Sequence, residues 1–295
     1  LLLALVAVLL AAGPAPAHIG GPYVPGLPWW AGWNLDPAVL LALALLTALY
    51  ARGLRRIWQS GTGRGVAEWQ ALCFAGGVLA LVVALVSPLD PLSDELSAAH
   101  MVQHMVLMNV AAPLLVLGGL TVVLLRGVPL PYRQPLGRLW QRLDPADGPL
   151  RRPGPAWVLY AAVLWGWHHP TLYQAALRNQ FVHDFQHATF FVASLVYWRS
   201  LLDPHGRRAG VAIGLVSLFT TTLHATVLGV FMTLAPQPWY ADYIGRTEPW
   251  GLTALEDQQL AGLIMWMPAC LAYALAAAGV LAVGINTRPG RRRTD

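Results

Sequence analysis

The chain has 295 residues, 56% of them hydrophobic and only 11% charged, with a formal net charge of +5 and a mean hydropathy of +0.52. Soluble domains carry about 25% charged residues, so the composition excludes an ordinary soluble protein and points to a polytopic protein of the lipid bilayer. Every basic residue is Arg and none is Lys, which removes Schiff-base and Lys general-base chemistry. The Arg clusters sit beside apolar spans, so the charge gives no reason to expect a nucleic-acid partner.

Residues 1–17 open with LLLALVAVLLAA, too short to cross a bilayer that needs about 20 apolar residues. They run into GPAPA, with small residues at Ala15 and Ala17. That is the form of a signal-peptide core with an A-x-A cleavage site; an uncleaved short hydrophobic helix is the alternative. Cleavage after Ala17 would give His18 a free amine and make it a candidate bidentate metal ligand. Residues 18–35 follow as an outside segment.

Seven long apolar segments come next, near 36–54, 68–87, 96–125, 155–177, 181–202, 209–235 and 257–286. The breaks carry Pro, Gly, Asp and Arg, as turns do. None of the segments alternates in polarity as barrel strands would, and a helix satisfies its own backbone in lipid. The expected fold is therefore all-α: a seven-helix membrane bundle over 36–287 with a basic tail at 288–295. Pro113 is expected to kink or open the third span.

Arg placement gives the orientation. Seventeen Arg fall in the loops after the first, third and fifth spans, at the end of the fifth, and in the tail; only Arg178 and Arg246 fall in the alternate loops. The expected topology has the N-terminus outside and the C-terminus in the cytoplasm, which also suits a cleaved signal sequence.

The nine histidines are distributed unevenly on that topology. His100 and His104 begin the third span, His168 and His169 end the fourth, and His183 and His187 begin the fifth, all at outer ends. His224 lies in the sixth span, roughly 16 Å from its outer end. His205, in DPHGRR, is read as solvated, and His169, before Pro170, as a loop residue. Residues four apart share a helix face, so His100 with His104 and His183 with His187 form two imidazole pairs. Imidazole suits copper, zinc and iron, and thioethers favour Cu(I), which brings in Met101, Met105, Met108 and Met265 as further ligands. Asp184 and Gln186 are placed to orient an imidazole ring. A single histidine at a helix end is ordinarily a hydrogen-bonded interface residue. It is the joint pattern that points to metal, because ionisable residues inside spans are costly. Two i,i+4 pairs also suit a bis-histidine haem.

Other features are less telling. Cys73 and Cys270 lie in different apolar segments and form no CxxC pair. Asp257 opens the last span, where negative charge is favourable as a helix cap. The turn SPLDPLSDEL, with Asp90, Asp94 and Glu95, either attracts cations or solvates a loop. HDFQH resembles the zinc-hydrolase pattern HxxEH, but Gln186 stands where the Glu base belongs. With no GxSxG, P-loop or dinucleotide fingerprint, an enzyme is not expected.

Four blocks in order, HMVQHMVLMNVAAPLLVLG, WHHPTLYQAAL, VHDFQHATFF and DQQLAGLIMW, resemble the multi-span CtaG family of caa3-type cytochrome c oxidase assembly factors. This family is distinct from the single-span copper chaperone of the same name. The resemblance runs from about Ser87 to Met267. It implies a seven-helix protein of the bacterial plasma membrane that supports oxidase maturation through copper, with oxidase subunits and periplasmic copper chaperones as partners. Carried over by position, it assigns His100, His104, His168, His183, His187, His224 and Asp257 to the family's blocks. Gln186 departs from the Glu that family members often carry. The resulting expectation is Cu(I) held among imidazoles at the outer ends of the third, fourth and fifth spans, with His224 and the methionines as a deeper station. The rivals are a bis-histidine haem electron carrier and a metal transporter or assembly scaffold.

Overall fold

The computed structural model describes residues 28–145, 148–203 and 210–286. The leader segment, His18, His205 and the basic tail lie outside these residues. All regular secondary structure among the described residues is helical. Five helices are long and apolar enough to cross a membrane: Pro37–Ile57, Glu68–Leu85, Ser97–Leu117, Val211–Thr233 and Ala254–Ala282.

Helix α1 (Pro37–Ile57) starts where the Asp36 side chain accepts from the Ala38 N–H at 2.7 Å, with Pro37 in the first turn. Helix α2 (Glu68–Leu85) and the short helix α3 (Leu89–Glu95) follow. The acidic turn of the sequence is thus helical, and its Asp90 is buried.

The third apolar segment is one helix only as far as Leu117. Helix α4 (Ser97–Leu117) carries a π-turn at Leu107–Ala111. Pro113 has no N–H to continue the ladder, and the Trp198 indole donates to the Met108 carbonyl at 2.8 Å. The opening expected at Pro113 is found here, just ahead of it. The helix then stops at Gly118-Gly119. Gly119 has φ +66°, and the Gly118 carbonyl accepts from the Tyr50 hydroxyl at 2.7 Å. A separate helix α5 (Leu120–Gly127) completes the segment. It meets α1 through glycine: a Cβ on Gly53 would fall 1.9 Å from the Val123 carbonyl oxygen. Such close backbone approach is how membrane helices associate.

The Arg-rich stretch after it, expected as loop, contains helix α6 (Leu130–Leu143), which buries none of its residues. The segment at 155–177 is two helices, α7 (Pro153–Trp167) and α8 (Pro170–Arg178), parted at His168-His169 because Pro170 cannot continue the first. At 15 residues, α7 spans about 22 Å, less than the roughly 30 Å hydrocarbon core. Helix α9 (Gln180–Leu202) has the length, but His183, Gln186, His187, Ser194 and Ser200 on its buried faces lower its hydropathy. Neither α7 nor α9 is among the five apolar spans.

Helices α10 (Val211–Thr233) and α11 (Ala254–Asn286) pack together at Gly229 and Gly262, where a Cβ on Gly262 would lie 2.6 Å from the Gly229 carbonyl. Asp257 in the first turn of α11 joins this pair to α4. Its two carboxylate oxygens accept from the Ser97 N–H at 2.6 Å and the Ala98 N–H at 3.1 Å. The last span therefore supplies the N-terminal cap of the helix that bears HMVQHM.

Candidate metal centre

The histidine pairs converge at one end of the bundle. On α4, His100 and His104 have ring centroids 4.3 Å apart; on α9, His183 and His187 are 4.1 Å apart. Across the helices, His104 lies 5.2 Å from His187, and His100 lies 5.4 Å from His183 and 5.8 Å from His187. One ring nitrogen from each of His100, His104 and His187 can be chosen so that all three lie within 4.8 Å of one another. All four rings are buried, His100 fully and His104 to 1% exposure.

The environment of the His100 and His104 rings is chemically incomplete among the described residues. Neither ring nitrogen of His104 has a hydrogen-bond partner among the described residues, and those of His100 make no bond of standard geometry. Buried polar groups are normally satisfied, and each one left open costs about 1–3 kcal/mol. Tyr173 packs 5.0 Å from His100, and Phe190 packs 4.6 Å from His104.

His168 borders the group as the C-cap of α7, its ring 6.4 Å from Tyr173 and 6.1 Å from Phe190. Its Nδ1 lies 2.7 Å from the Leu164 carbonyl. A carbonyl only accepts, so Nδ1 carries the proton and Nε2 presents its lone pair. Nε2 is buried without a partner. A hydrogen bond of this kind is what orients a metal-ligating imidazole. The position is fixed from both sides: the Trp167 indole donates to Thr189 Oγ1 of α9 at 2.8 Å, and the Tyr240 hydroxyl donates to the His168 carbonyl at 3.1 Å.

Several other expected residues fall elsewhere. His224 is not brought to the group; Trp157 lies 5.4 Å from its ring, and the Trp165 indole donates to its Nδ1 at 3.3 Å. Met101, Met105, Met108 and Met265 are buried in the apolar core, and the Met105 sulfur accepts from the Asn109 amide at 3.3 Å. Both oxygens of Asp257 are engaged in capping α4. Asp184 accepts from the Gln180 amide at 2.8 Å and lines a cavity beside the histidines. His169 caps α8.

Two supporting residues, Gln103 and Tyr173, escaped the sequence reading. Gln103 is fully buried, donating to the Ala84 carbonyl at 2.8 Å and to Asp90 Oδ1 at 2.7 Å. Asp90 in turn accepts from the Asn34 amide at 2.7 Å. Gln103 lies at i+3 from His100, so the i,i+3 rule placed it on the histidine face, whereas its partners are distant in sequence. Tyr173 was legible only as part of an apolar block. At the rim, outside the spans, burial holds the Glu95 carboxyl above the usual carboxylate range, with Arg246 opposing.

Fold and site together define the class: an all-helical membrane protein with a buried group of imidazoles able to hold a metal cation. The sequence profile of the family described as cytochrome c oxidase caa3 assembly factor (Caa3_CtaG) matches residues 48–285. The chain belongs to that family. Among curated proteins it is similar to the uncharacterized protein Mb0105 of Mycobacterium bovis and to MT0111 of Mycobacterium tuberculosis, each 27% identical over 242 residues. It is also similar to ML1998 of Mycobacterium leprae, 23% identical over 258 residues. Each match covers 79% of this chain and 36% of the relative, so the chain spans about a third of the length of these relatives. No solved structure matches it.

Proposed function

We propose that the protein is a copper-handling assembly factor that binds Cu(I) through His100, His104 and His187 and passes it toward a cytochrome c oxidase. His183 and His168 flank these ligands as exchange partners. The observation that carries this reading is the group of three buried ring nitrogens within 4.8 Å of one another, with those of His104 unpartnered. The group contains imidazole and neither carboxylate nor thiolate. A divalent ion would bring two uncompensated charges into the apolar interior, and the desolvation penalty rises steeply with charge. A monovalent soft ion on neutral ligands suits the site better. Family membership supports oxidase assembly as the setting, with oxidase subunits and copper chaperones as partners.

We further propose the seven-span arrangement in a bacterial plasma membrane, with α7 and α9 completing the bundle around the five apolar helices and the histidine end facing outward. The Arg distribution supports this orientation. A haem reading has less support. The cavity beside the histidines measures about 70 Å³, against roughly 300–1,000 Å³ for pockets that hold cofactor-sized ligands.

Anaerobic titration with Cu(I) against a competing chelator tests the reading. The wild-type protein should bind copper tightly, and His100→Ala/His104→Ala should lose it while keeping its helical circular-dichroism spectrum. An unchanged copper-to-protein ratio in the double variant, or a Soret band in the purified protein, would overturn it.

A further inference from the structure

The histidine group is closed over at the end of the bundle. Tyr173 stacks on Tyr240 at 3.8 Å, and the Tyr243 hydroxyl donates to the Ser93 carbonyl at 3.0 Å; all three rings are almost fully buried. Arg246 adds a further tie to the Asp94 carbonyl at 3.0 Å. Through Tyr173 this layer packs directly on His100, with ring centroids 5.0 Å apart. Beside it lies the cavity of about 70 Å³ between α1, α2, α3, α4 and α9. On α9 its lining runs from Gln180 to Phe191, a rise of about 16 Å. Three carboxylates line it: Asp36 at the start of α1, Asp90 in α3 and Asp184 in α9. His183 and His187 line it as well, and among the described residues no Arg does. His187 thus belongs both to this cavity and to the three-histidine group.

We propose that this cavity is the entrance for copper: Cu(I) enters sideways past Asp36, Asp90 and Asp184, exchanges onto His183, and reaches His100 and His104 through His187. The step is ligand exchange without redox change. The carboxylates raise the local cation concentration, as one-signed clefts with low-dielectric walls do. His187 is the shared ligand that makes the path continuous. This inference rests on the copper reading above.

The test is the rate of loading, separated from its extent. Asp36→Asn/Asp184→Asn retains the side-chain oxygens that accept from the Ala38 N–H and the Gln180 amide. Purified protein in micelles is mixed anaerobically with Cu(I) supplied as its acetonitrile complex, at low and high ionic strength. Wild-type loading should slow as salt rises. The double variant should load about tenfold more slowly at low salt, lose most of the salt dependence, and reach the same final copper content. Equal rates and equal salt dependence in the two proteins would overturn the entrance while leaving the metal site standing. Failure of the wild-type protein to take up copper would overturn both.

Discussion

At the scale of single residues, the two pairs read from spacing alone are found as pairs, because i,i+4 geometry is local and survives any tertiary arrangement. What spacing does not reveal is which other polar residues are committed elsewhere. The family resemblance assigned Asp257 alongside the histidines, yet both its oxygens serve the first turn of α4. A carboxylate at a helix N-terminus is favourable, and hydrogen bonds to charged groups are worth about 1.5–3 kcal/mol. Asp257→Ala is therefore expected to lower stability by about 2–3 kcal/mol, and to weaken copper binding only through the shifted helix. Thermal unfolding in micelles checks the first effect. A full-strength loss of copper with an unchanged midpoint would instead make Asp257 a ligand.

At the scale of elements, the apolar segments were legible because length and hydropathy are properties of the segment itself. Their interruptions were less so. The break at Gly118-Gly119 depends on a left-handed glycine and on the Tyr50 hydroxyl, contributed from a different helix. The break at His168-His169 follows from Pro170, a local signal masked by the apolar run around it. Close helix contacts depend on glycines whose importance only the packed structure reveals. Two glycines of α11 make the contrast: a Cβ on Gly262 would collide with Gly229 and Thr233, whereas one on Gly279 meets nothing within 4 Å. Gly262→Ala should destabilise the protein by roughly 1–3 kcal/mol, and Gly279→Ala should be neutral or slightly stabilising. Melting temperatures of the two variants measured side by side decide this; equal shifts would contradict the tight α10–α11 seam.

At the scale of the whole molecule, the proposed outer face is read from the Arg count, and the histidine positions were laid on that topology. The seven-span arrangement rests on α7 and α9, a short helix and a polar one that hydropathy alone does not select. The polarity of α9 has a physical reason in the proposed bundle: the residues that lower its hydropathy are buried toward the histidine group and the core. Labelling with a membrane-impermeant maleimide on intact cells tests the orientation. A cysteine at exposed Glu248 should react, and one at exposed Gln59 should react only after the membrane is opened. Reaction of both in intact cells would reverse or break the topology.

The central claim is that imidazoles from α4 and α9 jointly hold one copper ion. X-ray absorption on the copper-loaded protein tests it most directly. The account predicts Cu(I) in a low-coordinate shell of nitrogen, with the outer-shell scattering of about three imidazoles that falls on His104→Ala substitution. A sulfur-dominated shell, or a spectrum unchanged by that substitution, would contradict it.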